Sequence, residues 1–317
     1  MVEETGLHEM LAFLLEKDAG LAKSKARTLA SYFDDLKTFV EVSKVDLLRL
    51  RGIRGRIIVR LSFEEIENIL KVANSGYIDL SKGISLNYLS AIGRAFTKRQ
   101  LDMINSLSLN DLSPNPFLIH TLNLKTPEEL ISINVFMVTT RSIVTSMGFF
   151  VENLLQASSP SVEKVSRSSG WDLVKTDKSG NKHWIQVKSG PNDMDKDQIV
   201  YWAQKIKEKI TEGDKAYIGI TYGKKSNKTI TFNLMRQWIP EWEMRTLVGK
   251  ELWDFVSDDP NYHSKLFKIL TESAYQVLKH KSIYNEIDLC CERLVKIFIS
   301  QYGTGTEGVL RYIDEIF

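Results

Sequence analysis

The sequence predicts an α/β fold, a central sheet flanked by helices, with a small all-α domain in front of it. Three observations carry this. Residues 7–73 hold only helix-period apolar stripes broken by turn signals. Gly170–Lys188 alternates like a β-hairpin. Asp193–Glu212 then reads as an amphipathic helix feeding the short apolar strand Ala216–Tyr222. At 317 residues there is room for more than one domain. Composition places the divisions at 1–75 for the helical front, 76–127 for a linker and helical lead-in, and 128–317 for the α/β domain with its C-terminal helices.

Composition narrows the classes. A net charge of +2 is close to neutral, so attraction to nucleic acid has to come from local clusters. Cys290 and Cys291 are adjacent on an apparent helix, which rules out a disulfide framework and suits a reducing compartment. The five histidines are scattered without metal-ligand spacing. No apolar run reaches the length that spans a bilayer, and Met1–Gly20 lacks the order of a signal peptide. The expectation is a soluble, cytoplasmic protein with no membrane partner.

In the front region Leu7, Met10, Leu11, Leu14 and Leu15 form one helical stripe, and Ala26, Leu29, Ala30 and Phe33 form another. Two glycine-containing turns interrupt the pattern, one around Gly20 and one at Gly52-Ile53-Arg54-Gly55. The second resembles a helix-hairpin-helix motif. The first is similar but looser, because Lys23 stands where a second glycine is expected. Glycines there permit a tight turn that leaves backbone N–H groups free for a phosphate, and Arg54 and Arg56 add charge beside it. Lys23 and Lys25 follow the first turn in the same way. Such contacts grip the DNA backbone without reading sequence.

The chemistry gathers on the hairpin. Asp172 opens its first strand, Asp177–Asn181 forms a turn, and His183–Lys188 returns. Alternation puts Trp184, Gln186 and Lys188 on one face and Ile185 and Val187 on a core-facing side. A tight turn brings Asp172 opposite Gln186, collecting a carboxylate, an amide oxygen and an ammonium. That set suits phosphodiester hydrolysis. A hard cation such as Mg2+ takes oxygen ligands, and a lysine orients water or offsets charge on the phosphorane. Asp172…Gln186-Val187-Lys188 resembles the signature of the PD-(D/E)XK nuclease superfamily, with Gln in place of the second acid as in its Mrr-like branches. The resemblance implies a mixed, restriction-endonuclease-like sheet. It further implies Mg2+ held by Asp172, Gln186 and the Val187 carbonyl, with Lys188 as the catalytic lysine and one negative charge fewer at the metal.

Upstream, 128–156 reads as a long helical pattern that Thr139–Arg141 and Gly148 divide in two. Glu152 near its end resembles the helical glutamate that this superfamily places over the metal. Downstream, Asn192, Lys224, Lys225 and Asn227 are candidates for DNA contact, Thr229–Phe232 is expected to pair with the preceding strand, and Trp238, Trp242 and Trp253 are expected in the core. Asn115-Pro116-Phe117, Gly148…Glu152, the hairpin, Tyr222-Gly223 and Gly249–Trp253 together resemble one group of type II restriction endonucleases, those that cut palindromes built on a GGNCC core. The similarity runs from about Asp111 to Gln301. It implies Mg2+-dependent double-strand cleavage of DNA by a homodimer, with a cognate DNA methyltransferase in the same cell. A structure-selective repair or junction nuclease, and a DNA-binding protein with the nuclease fold but no chemistry, remain as alternatives.

Overall fold

The computed structural model describes residues 5–33, 36–50, 59–74, 78–79, 84–165 and 169–316. The front of the chain is helical: α1 (Thr5–Lys17), α2 (Lys23–Ala30), α3 (Leu36–Val40), α4 (Lys44–Leu48) and α5 (Phe63–Ala73). Gly20 turns α1 into α2 at φ +73°, a conformation that costs glycine little. Capping boxes at Ser43 and Ser62 open α4 and α5, each serine exchanging hydrogen bonds with the acid three residues on. Leu11, Leu14, Leu15, Leu29, Phe33 and Phe39 are fully buried. The hairpin expected at Gly52–Arg56 lies outside the described residues.

A two-residue pair, β1 (Ile78–Asp79) with β2 (Ile84–Ser85), precedes α6 (Leu86–Ser106), α7 (Leu109–Leu112), α8 (Pro116–Thr121) and α9 (Pro127–Gln156). Asn115 and Pro116 set the start of α8, Asn115 Oδ1 accepting from the Phe117 N–H at 2.9 Å. α9 is a single 30-residue helix and is not divided at Thr139 or Gly148. By length and composition it is the one helix among the described residues able to cross a bilayer. The sequence reading passes over this because Thr139, Thr140 and Arg141 interrupt the apolar run. Its Leu130, Ile131, Val135, Val151, Leu154 and Leu155 are all buried in protein.

The sheet follows: β3 (Val162–Lys164), β4 (Leu173–Thr176), β5 (Lys182–Lys188), then α10 (Lys196–Thr211), β6 (Lys215–Ile220), α11 (Ile230–Trp238), α12 (Trp242–Arg245) and β7 (Thr246–Val248). Strand order is β3-β4-β5-β6-β7, antiparallel from β3 to β5 and parallel from β5 to β7. The predicted mixed sheet is therefore present, with β5 where its sense changes. α10 makes the crossover between β5 and β6. Thr229–Phe232 is not a strand. Thr229 Oγ1 accepts from the Phe232 N–H at 3.1 Å and caps α11, whose Phe232 and Met235 point into the core. The strand beside β6 is β7, only three residues long and buried throughout, so it shows no alternation to read.

The chain closes with α13 (Lys250–Ser257), α14 (Tyr262–Leu278), α15 (Ile283–Tyr302) and α16 (Gly305–Ile316). Contacts divide the protein into two units, Met1–Gly93 with Gly148–Thr271, and Arg94–Met147 with Glu272–Phe317. The second unit packs Leu130, Ile131 and Val135 with Ile287, Leu294, Phe298 and Val309. Cys290 lies in that core, and both cysteines are free thiols.

In the first unit both faces of the sheet are covered. Ala216, Ile218 and Ile220 pack with Ile199, Trp202 and Ile206 of α10 and with Phe232 and Met235 of α11. On the other face, a Cβ added to Gly219 would stand 2.8 Å from Leu252 of α13, so that helix lies directly on the strand. Trp242 and Trp253 are core residues as expected, whereas Trp238 is 39 % exposed.

Candidate active site

The site is built where β4 and β5 part. Their turn forms as the composition dictates. Asp177 Oδ1 accepts from the Ser179 and Asn181 N–H groups at 2.9 Å each, and Gly180 takes φ +82°. Asp177 Oδ2 accepts from the Asn181 side-chain amide at 2.9 Å and also bonds His183 at 3.1 Å, and these bonds, the Asn181 amide foremost, hold the Asp177 carboxyl far below the usual carboxylate range. Pairing runs from Thr176↔Lys182 to Leu173↔Ile185. One step further, the Val187 N–H is taken by a side chain, donating to Asp172 Oδ2 at 2.7 Å. The ladder thus opens where the acid sits, and the Val165 N–H donates at 3.1 Å to the Asp172 carbonyl to tie the outer strand to the same point.

Asp172 is therefore held against the Val187 backbone, with Gln186 across the hairpin by register and Lys188 near enough for its charge to act on the carboxyl. Burial pushes the Asp172 carboxyl above its ordinary value. The Val187 hydrogen bond and the charges of Lys188 and Lys164 act against that rise without cancelling it. The face carrying Gln186 is a second packed layer. Trp184 lies tilted against Trp171 at 6.4 Å, Trp171 meets Trp202 of α10 edge-on at 5.0 Å, and Trp184 Nε1 donates to Asp214 at 2.7 Å. Gln186 is 6 % exposed, and its Oε1 is buried without a hydrogen-bond partner.

An orphaned buried oxygen is costly unless something meets it. A hard cation is such a partner, and the register puts Asp172 across the hairpin from Gln186, so these residues fit Mg2+. Among the described residues no group of three or more His, Cys, Asp or Glu is arranged to hold a metal. An ion here would rest on one carboxylate with amide and main-chain oxygens.

The segment after Lys188 is braced. Asp193 Oδ2 accepts from Ser189 Oγ at 2.5 Å and from the Gly190 N–H at 2.6 Å, while Thr221 Oγ1 donates to the Ser189 carbonyl at 2.6 Å. A Cβ on Gly190 would lie 2.6 Å from the Tyr222 hydroxyl, so a larger residue there would make that exposed ring swing aside. Sequence reasoning missed Asp193, Thr221 and Tyr222 as supports, and it missed Lys164. Lys164 comes near Asp172 only through the β3–β4 pairing, which leaves no local signal.

The remaining candidates are spread out. Glu152 is half-buried on α9, next to Asn153, whose Oδ1 accepts from Lys164 Nζ at 2.5 Å. Asn192 is exposed in the turn beyond β5. Lys225 bonds Glu251 at 2.8 Å and donates to the Glu243 carbonyl at 2.8 Å, whereas Lys224 is exposed and the Asn227 N–H closes the loop onto the Lys224 carbonyl at 2.9 Å. Lys23 is exposed, and Lys25 bonds Glu65 at 2.7 and 3.0 Å.

A five-stranded mixed sheet flanked by helices, with an acid and a lysine meeting where a hairpin opens, is a restriction-endonuclease-like fold of the PD-(D/E)XK kind. The family model described as type II restriction endonuclease EcoO109I matches residues 86–277, more than half of the chain. The protein belongs to that family and is a type II restriction endonuclease, a nuclease acting on DNA. The match begins upstream of the resemblance read at Asp111 and leaves the helical front outside it. No curated protein matches the sequence.

Proposed function

We propose that this endonuclease makes Mg2+-dependent double-strand breaks in DNA at a specific site, acting as a homodimer in the cytoplasm alongside a cognate methyltransferase. The observation that carries the metal reading is the buried, unpartnered Gln186 Oε1, on the residue before Val187, whose N–H holds the Asp172 carboxylate. Asp172, Gln186 and the Val187 carbonyl would hold the ion, which when bound supplies polarisation of the scissile phosphate and a more acidic water.

Lys188 does the rest of the local work: its ammonium orients the attacking water and offsets charge gathering on the phosphorane. The Val187 N–H fixes the Asp172 carboxylate, so little reorganisation is needed when substrate arrives. Glu152 assists from α9. Asn192, Lys224, Lys225 and Asn227 contact DNA from the loops, and Lys23, Lys25 and the Gly52–Arg56 hairpin hold the duplex by its backbone.

Incubation of the purified protein with plasmid and Mg2+ is expected to give discrete fragments whose sequenced ends share one motif. Nicked circles, cutting only at branched junctions, or a gel shift without cleavage would each overturn this reading. A second test needs no turnover. Gln186→Glu restores the missing charge, so Mg2+ measured by calorimetry is expected to bind about tenfold more tightly, since ligand charge tunes such sites. An unchanged Kd would remove Gln186 from the metal's ligands.

A further inference from the structure

A cleft of about 550 Å3 lies between the α1–α2 hairpin and β3, and four of the side chains lining it are Lys17, Lys23, Arg27 and Lys164. All four are exposed. One carboxylate, Glu16, also lines the cleft, and it is paired with Lys17 at 2.6 Å. Four cations against one acid make this a concentrated positive surface on a chain whose net charge is only +2. Lys25 is not part of it, being bound to Glu65. At the α2 end, Ala22 stands at the cap position with no side chain to bond the first-turn N–H groups, and Lys23 and Arg27 extend from the helix that follows.

The cleft is tied to the hydrolytic centre by one residue. Lys164 lines it, bonds Asn153 of α9, and sits close enough to Asp172 for its charge to act on that carboxyl. The Phe13–Tyr88 edge-to-face pair, with ring centres 5.4 Å apart, forms part of the wall.

We propose that this cleft holds backbone phosphates of the DNA strand being cut, with Lys23, Arg27 and Lys164 as the contacts. The inference rests on the endonuclease reading and deepens it: the looser of the two front hairpins grips substrate next to the scissile bond. Flexible cations on two separate elements, α2 and β3, suit phosphodiesters, because they neutralise charge without selecting bases. The Arg27 fork adds a two-point contact to phosphate oxygens.

The test compares the parent with the double variant Lys23→Gln, Arg27→Gln and with Lys164→Gln, using a fluorescein-labelled duplex in EDTA across a salt series. Two lost contacts are expected to flatten the slope of log K against log salt by about 1.8, and one by about 0.9. Affinity at the lowest salt is expected to fall about tenfold or more for the double variant. Thermal melts of each variant establish that it is folded. Parental slope and affinity in both folded variants would overturn the cleft while leaving the nuclease reading intact. A parent that fails to cut plasmid in Mg2+ would instead bring down the reading underneath.

Discussion

Replacing Lys188 by alanine is expected to slow cleavage by about 10²–10³-fold while leaving duplex binding near the parental level. The ammonium stands two residues beyond Gln186, on the same strand face, and its charge reaches the Asp172 carboxyl. Removing a preorganised cation from a charge-developing centre typically lowers the rate by about 10²–10³-fold. The side chain is half-exposed at the strand end, so truncation leaves no cavity in the core. Single-turnover cleavage measured beside filter binding separates the two effects. A variant that cuts at the parental rate would remove Lys188 from the site.

Asp172→Asn is expected to lose cleavage by a comparable or larger factor and, in EDTA at neutral pH, to melt at a higher temperature than the parent. Asparagine retains an oxygen for the Val187 N–H, which the carboxylate now accepts at 2.7 Å, but carries no charge into a buried position. The sign follows from linkage. Burial raises the folded-state value of this carboxyl, so the folded protein is penalised wherever the group is ionised. The penalty is full above the raised value and disappears as pH falls to the ordinary aspartate range near about 4. The gap in Tm between variant and parent therefore closes on acidification. Mg2+ is expected to raise the Tm of the parent and not of the variant, and its affinity for the parent to weaken at a pH above the usual carboxylate range. A variant less stable than the parent in EDTA at pH 7.5 would contradict this account.

Much of the centre was legible because its signals are local. Asp177, Gly180 and Asn181 specify a tight turn, alternation along His183–Lys188 specifies which residues share a face, and together they bring Asp172 to Gln186. The helical front, α10, β6 and the C-terminal helices were legible from apolar period alone. Long-range pairing supplied what was missed. Thr229 and the residues after it have the β-branched look of a strand, yet Thr229 caps a helix because Phe232 and Met235 must reach one core at helical spacing. Alternation alone makes the face bearing Gln186 the polar side of a half-buried strand, whereas Trp171, itself packed on Trp202, covers Trp184 beside it. Lys164 carries no signal until β3 pairs with β4.

The hydrolytic group and the basic cleft differ in how far the chain must travel to make them. Asp172 and Lys188 are joined through one short reverse turn, so bringing them together costs little loop-closure entropy. The cleft instead requires the first thirty residues to find a strand beyond position 160, which closes a far longer loop. Loosening of the amino-terminal helices is therefore expected to weaken the enzyme's hold on its substrate while the short turn keeps the bond-breaking atoms in place.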